Sequence, residues 1–107
     1  MKEQLFVVFV TCPNEEVGKT LAKNAVESHL AACVNILPSI SSVYYWDGAV
    51  QSDSETLLIF KTSEECLLSL EQFIDENHPY DTPEFVAIPS THISKDYLKW
   101  AKEYLRG

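Results

Sequence analysis

Six side chains of the 107-residue sequence are of types that ligate soft metals or act as nucleophile and base. They are Cys12, Cys33, Cys66, His29, His78 and His92. A nucleophile and base could be paired from Cys12 or Cys33 with His78, but nothing beyond the residue types supports that pairing. Soft metals prefer thiolate and imidazole together. Because Cys12 and His78 both lie at predicted ends of sheet elements, we take them as the candidate metal ligands.

The sequence has none of the common catalytic or nucleotide-binding motifs. It contains no GxSxG, HExxH, P-loop or GxGxxG segment, and its three glycines are at positions 18, 48 and 107. Such motifs place nucleophiles, metals or phosphates through fixed glycine and ligand spacings. We therefore predict a protein that is not an enzyme and requires no cofactor for folding.

The segment HPYDTPE, from His78 to Glu84, is a turn-rich loop with two prolines that fix its path. Glu84 stands at the start of a predicted strand. It either accepts backbone hydrogen bonds in a rigid turn or forms the polar wall of a cleft. In the second case the cleft is shared with Lys61 and with the aromatic side chains of Tyr45 and Trp46.

A long hairpin arm must position these residues. The run from Leu30 to Trp46 is rich in β-branched and aromatic side chains, and Asp47-Gly48 after it is typical of a two-residue hairpin turn. Pro38 within the run indicates an edge or a bulge. An arm of this length exposes aromatic surface and unpaired strand edges unless another chain covers them. We therefore predict a homotrimer whose interface includes Tyr44, Tyr45 and Trp46.

Two further strands join the two strands of the arm in the predicted sheet. The apolar run from Leu5 to Val10 indicates a strand buried on both faces, hence central in the sheet. The return strand of the arm starts near Ala49, is polar at first and becomes apolar from Leu57. Phe85–Pro89 is predicted as a final strand, at an edge because of its proline.

Three helices are predicted from apolar spacing and capping residues. The first runs from Glu15 to Ser28 behind an Asn14 cap. The second is capped by Thr62 or Ser63, with Thr62 and Glu65 as a capping box, and ends by Asn77. The third starts after Ser94. Its predicted inward side chains are Tyr97, Ala101, Tyr104 and Leu105.

The element order β-α-β-β-α-β-α predicts an α+β fold in one domain, residues 1–107. Its first six elements form the split βαβ arrangement of ferredoxin-like sandwiches, here with a long β2–β3 hairpin and an extra C-terminal helix. Right-handed crossovers place the two main helices on one face of an antiparallel sheet.

Composition limits the partners and the compartment. The net charge of −8 makes nucleic acid and anionic membranes poor partners. No long apolar run predicts a transmembrane helix, and MKEQLFVVFV is interpreted as a first strand rather than a signal peptide. Three widely spaced cysteines favour free thiols in a reducing compartment. We expect a cytoplasmic protein.

Five segments occur together in this sequence: LAACVNILP, SVYYWDG, FKTS, HPYDTPE and YLKWAKEYL. In this combination and order the chain resembles the CutA divalent-cation tolerance family, and the resemblance covers essentially its whole length. It implies a ferredoxin-like subunit and a tightly interlocked homotrimer. It also implies a similarity in fold and assembly to the PII-type signal proteins, which bind small effectors in clefts between subunits.

The resemblance implies binding of copper or other divalent cations. The copper positions proposed for bacterial members correspond here to Val10, Asn77 and His78, so only His78 keeps a donor side chain of that set. Cys12 lies two positions beyond Val10, on the same face of a strand, and could partly substitute. The alternative is a PII-like sensor with an effector in an intersubunit cleft, where Lys61 and Glu84 are the residues to test.

Overall fold

The computed structural model describes residues 4–106 of the chain. The four strands, in chain order, are β1 (Phe6–Cys12), β2 (Cys33–Trp46), β3 (Ala49–Thr62) and β4 (Val86–Pro89). The three α-helices are α1 (Glu15–Glu27), α2 (Leu67–Asn77) and α3 (Lys95–Tyr104), and a short 3₁₀ turn (Glu64–Cys66) leads into α2. The predicted element order is confirmed.

The strands form one antiparallel sheet in the order β2-β3-β1-β4. β1 pairs with β3 on one side and with β4 on the other, so its predicted central position is confirmed. β4 lies at the edge, as Pro89 predicts. Strands β1 to β4 with α1 and α2 make the ferredoxin-like arrangement expected from the sequence.

The main core lies between one face of the sheet and the helices α1 and α2. Its buried side chains include Val8, Val10, Leu58 and Phe60 from the sheet, and Leu21, Ala25, Leu70 and Ile74 from the helices. Both helices therefore pack on the same face, as predicted. The other face of β1 is only half-buried at Val7 and Phe9, so the expectation of burial on both faces is wrong for the single chain.

The arm consists of β2 and β3, each 14 residues long. Asp47 and Gly48 at its tip have φ of +53° and +78°, as a type I′ turn requires, and the predicted hairpin is confirmed. The pairing register shifts between Leu37 and Ile40, so Pro38 marks a bulge as predicted. β2 begins at Cys33 and not at Leu30.

The helix termini follow local signals only in part. Asn14 Oδ1 accepts a hydrogen bond of 2.8 Å from the Val17 amide, which confirms the predicted cap of α1. The capping box of Thr62 and Glu65 is wrong. Thr62 Oγ1 instead donates to the Leu30 carbonyl oxygen at 2.7 Å, and α2 is entered through the 3₁₀ turn.

Helix α3 packs against a second, smaller core at the end of the sheet. Ala101 is buried there with Leu5 and Ala32, and Leu98 and Leu105 pack against them. Tyr97 was expected to face inward, but 36% of it is exposed because Leu98 and Ala101 set the rotation of the helix. No helix within residues 4–106 is long and apolar enough to cross a bilayer.

Candidate ligand-binding cavity

A cavity of about 800 Å³ lies along one face of the arm, between Trp46 near its tip and Glu55 near its base. The sheet supplies its floor and one wall, and the loop 80–84 supplies the other wall. Its main polar and aromatic lining residues are Tyr44, Trp46, Asp53, Glu55, Tyr80 and Glu84. The HPYDTPE loop therefore forms the wall of a cleft, as one of its two interpretations expected.

Strand alternation explains which side chains of β3 reach the cavity. Successive side chains of a strand point to opposite faces. Thr56 and Leu58 point into the helix-covered core, so Asp53 and Glu55 point to the opposite face. Ser42 is paired with Asp53 across the arm and lines the same cavity. The two carboxylates thus share one face at an i,i+2 spacing.

Glu55 is the most enclosed carboxylate of the cavity, with 9% of the residue exposed. The Tyr80 hydroxyl donates to its Oε2 atom at 2.8 Å. Within residues 4–106, Glu55 has no basic partner, and its Oε1 atom accepts no hydrogen bond. Burial, together with this carboxylate, raises the pKa of Tyr80, so the phenol keeps its proton and remains a donor.

Asp53 forms a second tyrosine–carboxylate pair at the same cavity. The Tyr44 hydroxyl donates to Asp53 Oδ2 across the arm. This hydrogen bond is the main cause of a raised pKa for Tyr44, and burial and the nearby carboxylates add to it. Both tyrosines therefore stay uncharged. They donate hydrogen bonds to the two carboxylates without neutralising the negative charge of either one.

Glu84 completes the acidic lining from the loop side. The Glu84 side chain is exposed, but partial desolvation at the cavity raises its pKa, and repulsion from the Glu55 carboxylate raises it further. Asp81 also lines the cavity, whereas none of the lining residues in the described chain is a lysine or arginine. The cavity is therefore a region of negative potential that favours a cationic ligand.

His78 holds the loop in place next to the cavity. Only 8% of the residue is exposed, and its Nε2 atom lies 2.8 Å from the Thr11 carbonyl oxygen. Its Nδ1 atom accepts a bond of 3.1 Å from the Tyr80 amide. Because a carbonyl can only accept, Nε2 carries the hydrogen and both ring nitrogens are occupied.

Cys12 is fully buried on the other face of β1. Its Sγ atom lies 3.5 Å from the Asn14 carbonyl oxygen and points toward α1, where a side chain at Gly18 would come within 3.3 Å of the sulfur. Burial raises the pKa of this thiol. Metals bind the thiolate, so Cys12 is poorly suited to ligate an ion.

The surroundings of His78 and Cys12 therefore do not suit the copper-ligand role that the sequence predicted for this pair. A metal would have to displace one hydrogen bond of the imidazole and reach a buried, protonated thiol. In addition, no three His, Cys, Asp or Glu side chains within the described residues 4–106 are arranged to hold one ion.

Lys61 lies away from the cavity in the single chain. Its Nζ atom is 3.8 Å from Cys33 Sγ and is hydrogen-bonded to Asn35 Oδ1. Six residues of strand separate it from Glu55, about 20 Å at the usual rise. A cleft containing both Lys61 and Glu84 therefore requires a second chain.

The aromatic residues of the arm divide between two faces. Trp46 lines the cavity and is still 57% exposed, whereas Tyr45 points away from it and is 72% exposed. The sequence interpretation missed Asp53 and Glu55, which were taken only as part of an exposed polar stretch. Their i,i+2 spacing on one strand face was the available signal.

Comparison with known proteins decides the family. Residues 6–104 match the model of the family described as CutA1 divalent ion tolerance protein. The chain belongs to this family. The resemblance found in the sequence motifs is thus confirmed, and it extends over the whole ferredoxin-like unit and α3.

Similar proteins occur in plants and bacteria. The chain is 54% identical to "Protein CutA, chloroplastic" of Arabidopsis thaliana over 101 residues, which is 94% of this chain and 56% of that protein. It is 45% identical to the divalent-cation tolerance protein CutA of Thermus thermophilus, over 91% of this chain and 94% of that protein. The chain spans about half the length of the plant and human relatives it matches.

Solved structures of the family share the fold. CutA1 from Oryza sativa superposes with a TM-score of 0.93 at 48% identity, covering 96% of this chain and 94% of that one. A protein described as the periplasmic divalent cation tolerance protein CutA from Archaeoglobus fulgidus gives 0.92 at 33% identity, covering 95% and 99%. Because relatives carry both chloroplastic and periplasmic names, the compartment of this chain stays a prediction.

Proposed function

We propose that this chain acts in divalent-cation tolerance by binding copper or another divalent cation, as a cytoplasmic homotrimer without enzymatic activity. The family match and the names of the relatives support a role with divalent cations. The observation that carries the proposal is the acidic cavity, where the buried Glu55 faces ligand-sized space without a basic partner. A cation would balance that charge.

A neighbouring chain would complete the metal site. The single chain offers carboxylate oxygens at the cavity but no convergent group of three ligands in residues 4–106. Carboxylates suit hard divalent ions, whereas selective copper binding needs imidazole or thiolate. A copper site would therefore draw nitrogen or sulfur donors from a second subunit.

The exposed arm supports the homotrimer. Val43, Tyr45 and Val50 are each 70–73% exposed near its tip. In the single chain, β2 and β4 are the outer strands of the sheet, so each has an edge available for pairing with another chain. An interface in which the arm of one copy meets a different surface of the next is heterologous, and three copies form a ring when the rotation between neighbours is 120°.

Copper titration by calorimetry tests the metal function. The wild type is compared with Glu55→Gln, which removes the buried charge, and with Glu71→Gln, a matched change on the exposed side of α2. We expect binding that Glu55→Gln weakens at least tenfold and Glu71→Gln leaves unchanged. Equal binding by all three proteins would place the ion on the general acidic surface, and no binding would contradict the metal function.

An effector-binding function is the second candidate, because the cavity is much larger than one ion. A volume of about 800 Å³ falls within the usual range of small-molecule sites, and Trp46 and Tyr44 give it aromatic walls. In a trimer, Lys61 of one copy could approach Glu84 of another. Native mass spectrometry of protein taken from its source cell distinguishes a bound ion from a bound organic molecule and also counts subunits.

A further inference from the structure

The three cysteines of the chain lie in two kinds of surroundings. Cys12 and Cys66 are buried, with 0% and 2% of each residue exposed, and their thiols donate to backbone carbonyl oxygens. Buried thiols held in this way are chemically inert. Cys33 is only half-buried, and an amine nitrogen lies beside its sulfur. Cys33 is therefore the thiol of this chain that is placed for a reaction.

The amine nitrogen belongs to Lys61, which is the direct partner of Cys33 across the pairing of β2 with β3. Residues opposite each other on antiparallel strands have side chains on the same face, with Cβ atoms about 4.5–5.5 Å apart. Here Lys61 Nζ lies 3.8 Å from Cys33 Sγ. The register of the sheet thus keeps the two side chains within reach of each other.

Two further side chains hold this pair. Asn35 lies two positions after Cys33, on the same face of β2, and its Oδ1 atom accepts a hydrogen bond from Lys61 Nζ. Tyr97 approaches the sulfur from α3. Burial raises the pKa of Tyr97, and the charge and hydrogen bonding of Cys33 raise it further, so the phenol keeps its proton and can donate to the sulfur. Asn35 therefore positions the amine, and Tyr97 positions the thiol.

A thiol and an amine at this distance can be joined through one oxygen atom taken from dioxygen. The S–H bond and two N–H bonds of the ammonium group break, and new S–O and O–N bonds form. The sulfur and the nitrogen each lose two electrons, and dioxygen accepts all four. Its second oxygen atom leaves as water with two of the hydrogens, and the third hydrogen is released as a proton.

We propose that Cys33 and Lys61 are a redox-sensitive modification site, at which dioxygen forms an S–O–N cross-link that thiol reductants reverse. Four thiols return the four electrons, restore the cysteine and the lysine, and release the bridging oxygen as water. The cross-link joins the outer strand β2 to β3 and removes the positive charge of Lys61. The site is separate from the acidic cavity, because Lys61 lies at the other end of β3.

Mass spectrometry of the intact protein tests the cross-link. Reduced protein is freed of reductant and kept in air-saturated or in oxygen-free buffer. We expect a gain of about 14 Da in air alone, which corresponds to one added oxygen and two lost hydrogens, whereas a sulfenic acid adds about 16 Da. Dithiothreitol should return the mass to that of the reduced chain.

Digestion with trypsin locates the modified lysine. Lys61 is the only lysine or arginine between Lys23 and Lys95. Trypsin cuts after a free lysine, so the denatured cross-linked protein should yield residues 24–95 as one peptide. Cleavage after Lys61 should return once dithiothreitol has been added.

Variants assign the two reacting atoms and the residues that position them. Cys33→Ser and Lys61→Arg should each abolish the 14 Da gain, whereas Lys19→Arg, a matched change of a lysine whose side chain is 68% exposed on α1, should not alter it. Asn35→Ala and Tyr97→Phe should slow the gain severalfold without changing the final mass. Melting curves accompany each variant, and Cys33→Ser decides the question if Lys61→Arg does not fold.

Three results would overturn the proposal. The first is no mass gain in air, which is also the result expected if a neighbouring copy draws Lys61 away from Cys33. The second is a gain of about 16 Da with cleavage after Lys61 intact, which would be oxidation of the thiol alone. The third is a 14 Da gain that persists in Cys33→Ser or Lys61→Arg.

Discussion

The Tyr80 hydroxyl donates a 2.8 Å hydrogen bond to Glu55 Oε2, which connects the loop after α2 to the base of the arm. The two residues are 25 positions apart in the chain. The contact holds a buried carboxylate in place and also fixes one wall of the cavity against its floor. The loop and the arm therefore form one unit, although the sequence presents them as separate motifs.

Removing this hydroxyl should destabilise the chain. Tyr80→Phe leaves Glu55 buried without its donor, and losing a hydrogen bond to a charged group costs about 1.5–3 kcal/mol. We expect a loss of unfolding free energy near the lower end of that range in urea denaturation, since the cavity admits water. Tyr45→Phe is the matched control, because Tyr45 is exposed on the other face of the arm. Equal stability of the two variants would show that the contact contributes nothing.

Glu84 predicts an unusual dependence of stability on pH. Its pKa is raised above the ordinary value of 4.5 by partial desolvation and by the Glu55 carboxylate. A carboxyl whose pKa is higher in the folded chain stabilises the fold fully below its unfolded value, and this contribution is lost as pH rises through the raised value. Glu84→Gln should therefore raise the melting temperature slightly at pH 7, because solvent screens much of the effect at this exposed side chain.

The increase in melting temperature caused by Glu84→Gln should shrink on acidification. It should disappear below pH 4.5, where the wild-type Glu84 carboxyl becomes protonated in both the folded and the unfolded chain. Melting curves between pH 4 and 7 measure it, with Glu71→Gln as the control on the exposed side of α2. A gain that is independent of pH would mean that the amide stabilises through packing and not through the loss of charge.

The exposed arm leads us to predict a homotrimer. Light scattering coupled to size exclusion should give three times the chain mass of 12.1 kDa. Trp46→Ala should weaken assembly by about 2–4 kcal/mol, because buried aromatic residues dominate interface energies. Leu68→Ala, on α2 and 80% exposed, should have no such effect. A monomer at micromolar concentration, or a Trp46→Ala trimer as resistant to dilution as the wild type, would contradict the interface.

Features determined by a few neighbouring residues could be predicted from the sequence. Asp47-Gly48 requires only that two adjacent residues adopt positive φ, and Asn14 caps the helix that directly follows it. The capping box at Thr62 failed because a distant carbonyl, that of Leu30, takes the hydroxyl. Similarly, the rotation of α3 is set by packing against Leu5 and Ala32, which periodicity within the helix does not reveal.

The residues of the candidate site likewise divide into those that the sequence predicted and those that it did not. One of the two interpretations of the loop placed Glu84 and the aromatic arm at one cleft; Glu84 and Trp46 line the cavity, whereas Tyr45 does not. Lys61 was placed with them in the sequence interpretation, but the length of the strand carries it to the far end of β3. Glu55 was missed because a polar run in an arm usually indicates exposure, and its burial depends on Tyr80 from a loop that folds across it.

His78 provides a last test, which separates a structural role from metal binding. Its Nε2 atom donates to the Thr11 carbonyl oxygen and its Nδ1 atom accepts from the Tyr80 amide, so His78→Ala removes a partner from two partly buried backbone groups. Such a loss costs about 1–3 kcal/mol. We expect lower stability and faster amide exchange in residues 79–84, with excess chelator present throughout.

The control is His92→Ala, in an exposed position before α3. Because chelator removes any ion, a destabilisation that persists assigns His78 to the support of the cavity wall. A destabilisation seen only when copper is added back would instead return His78 to the metal site.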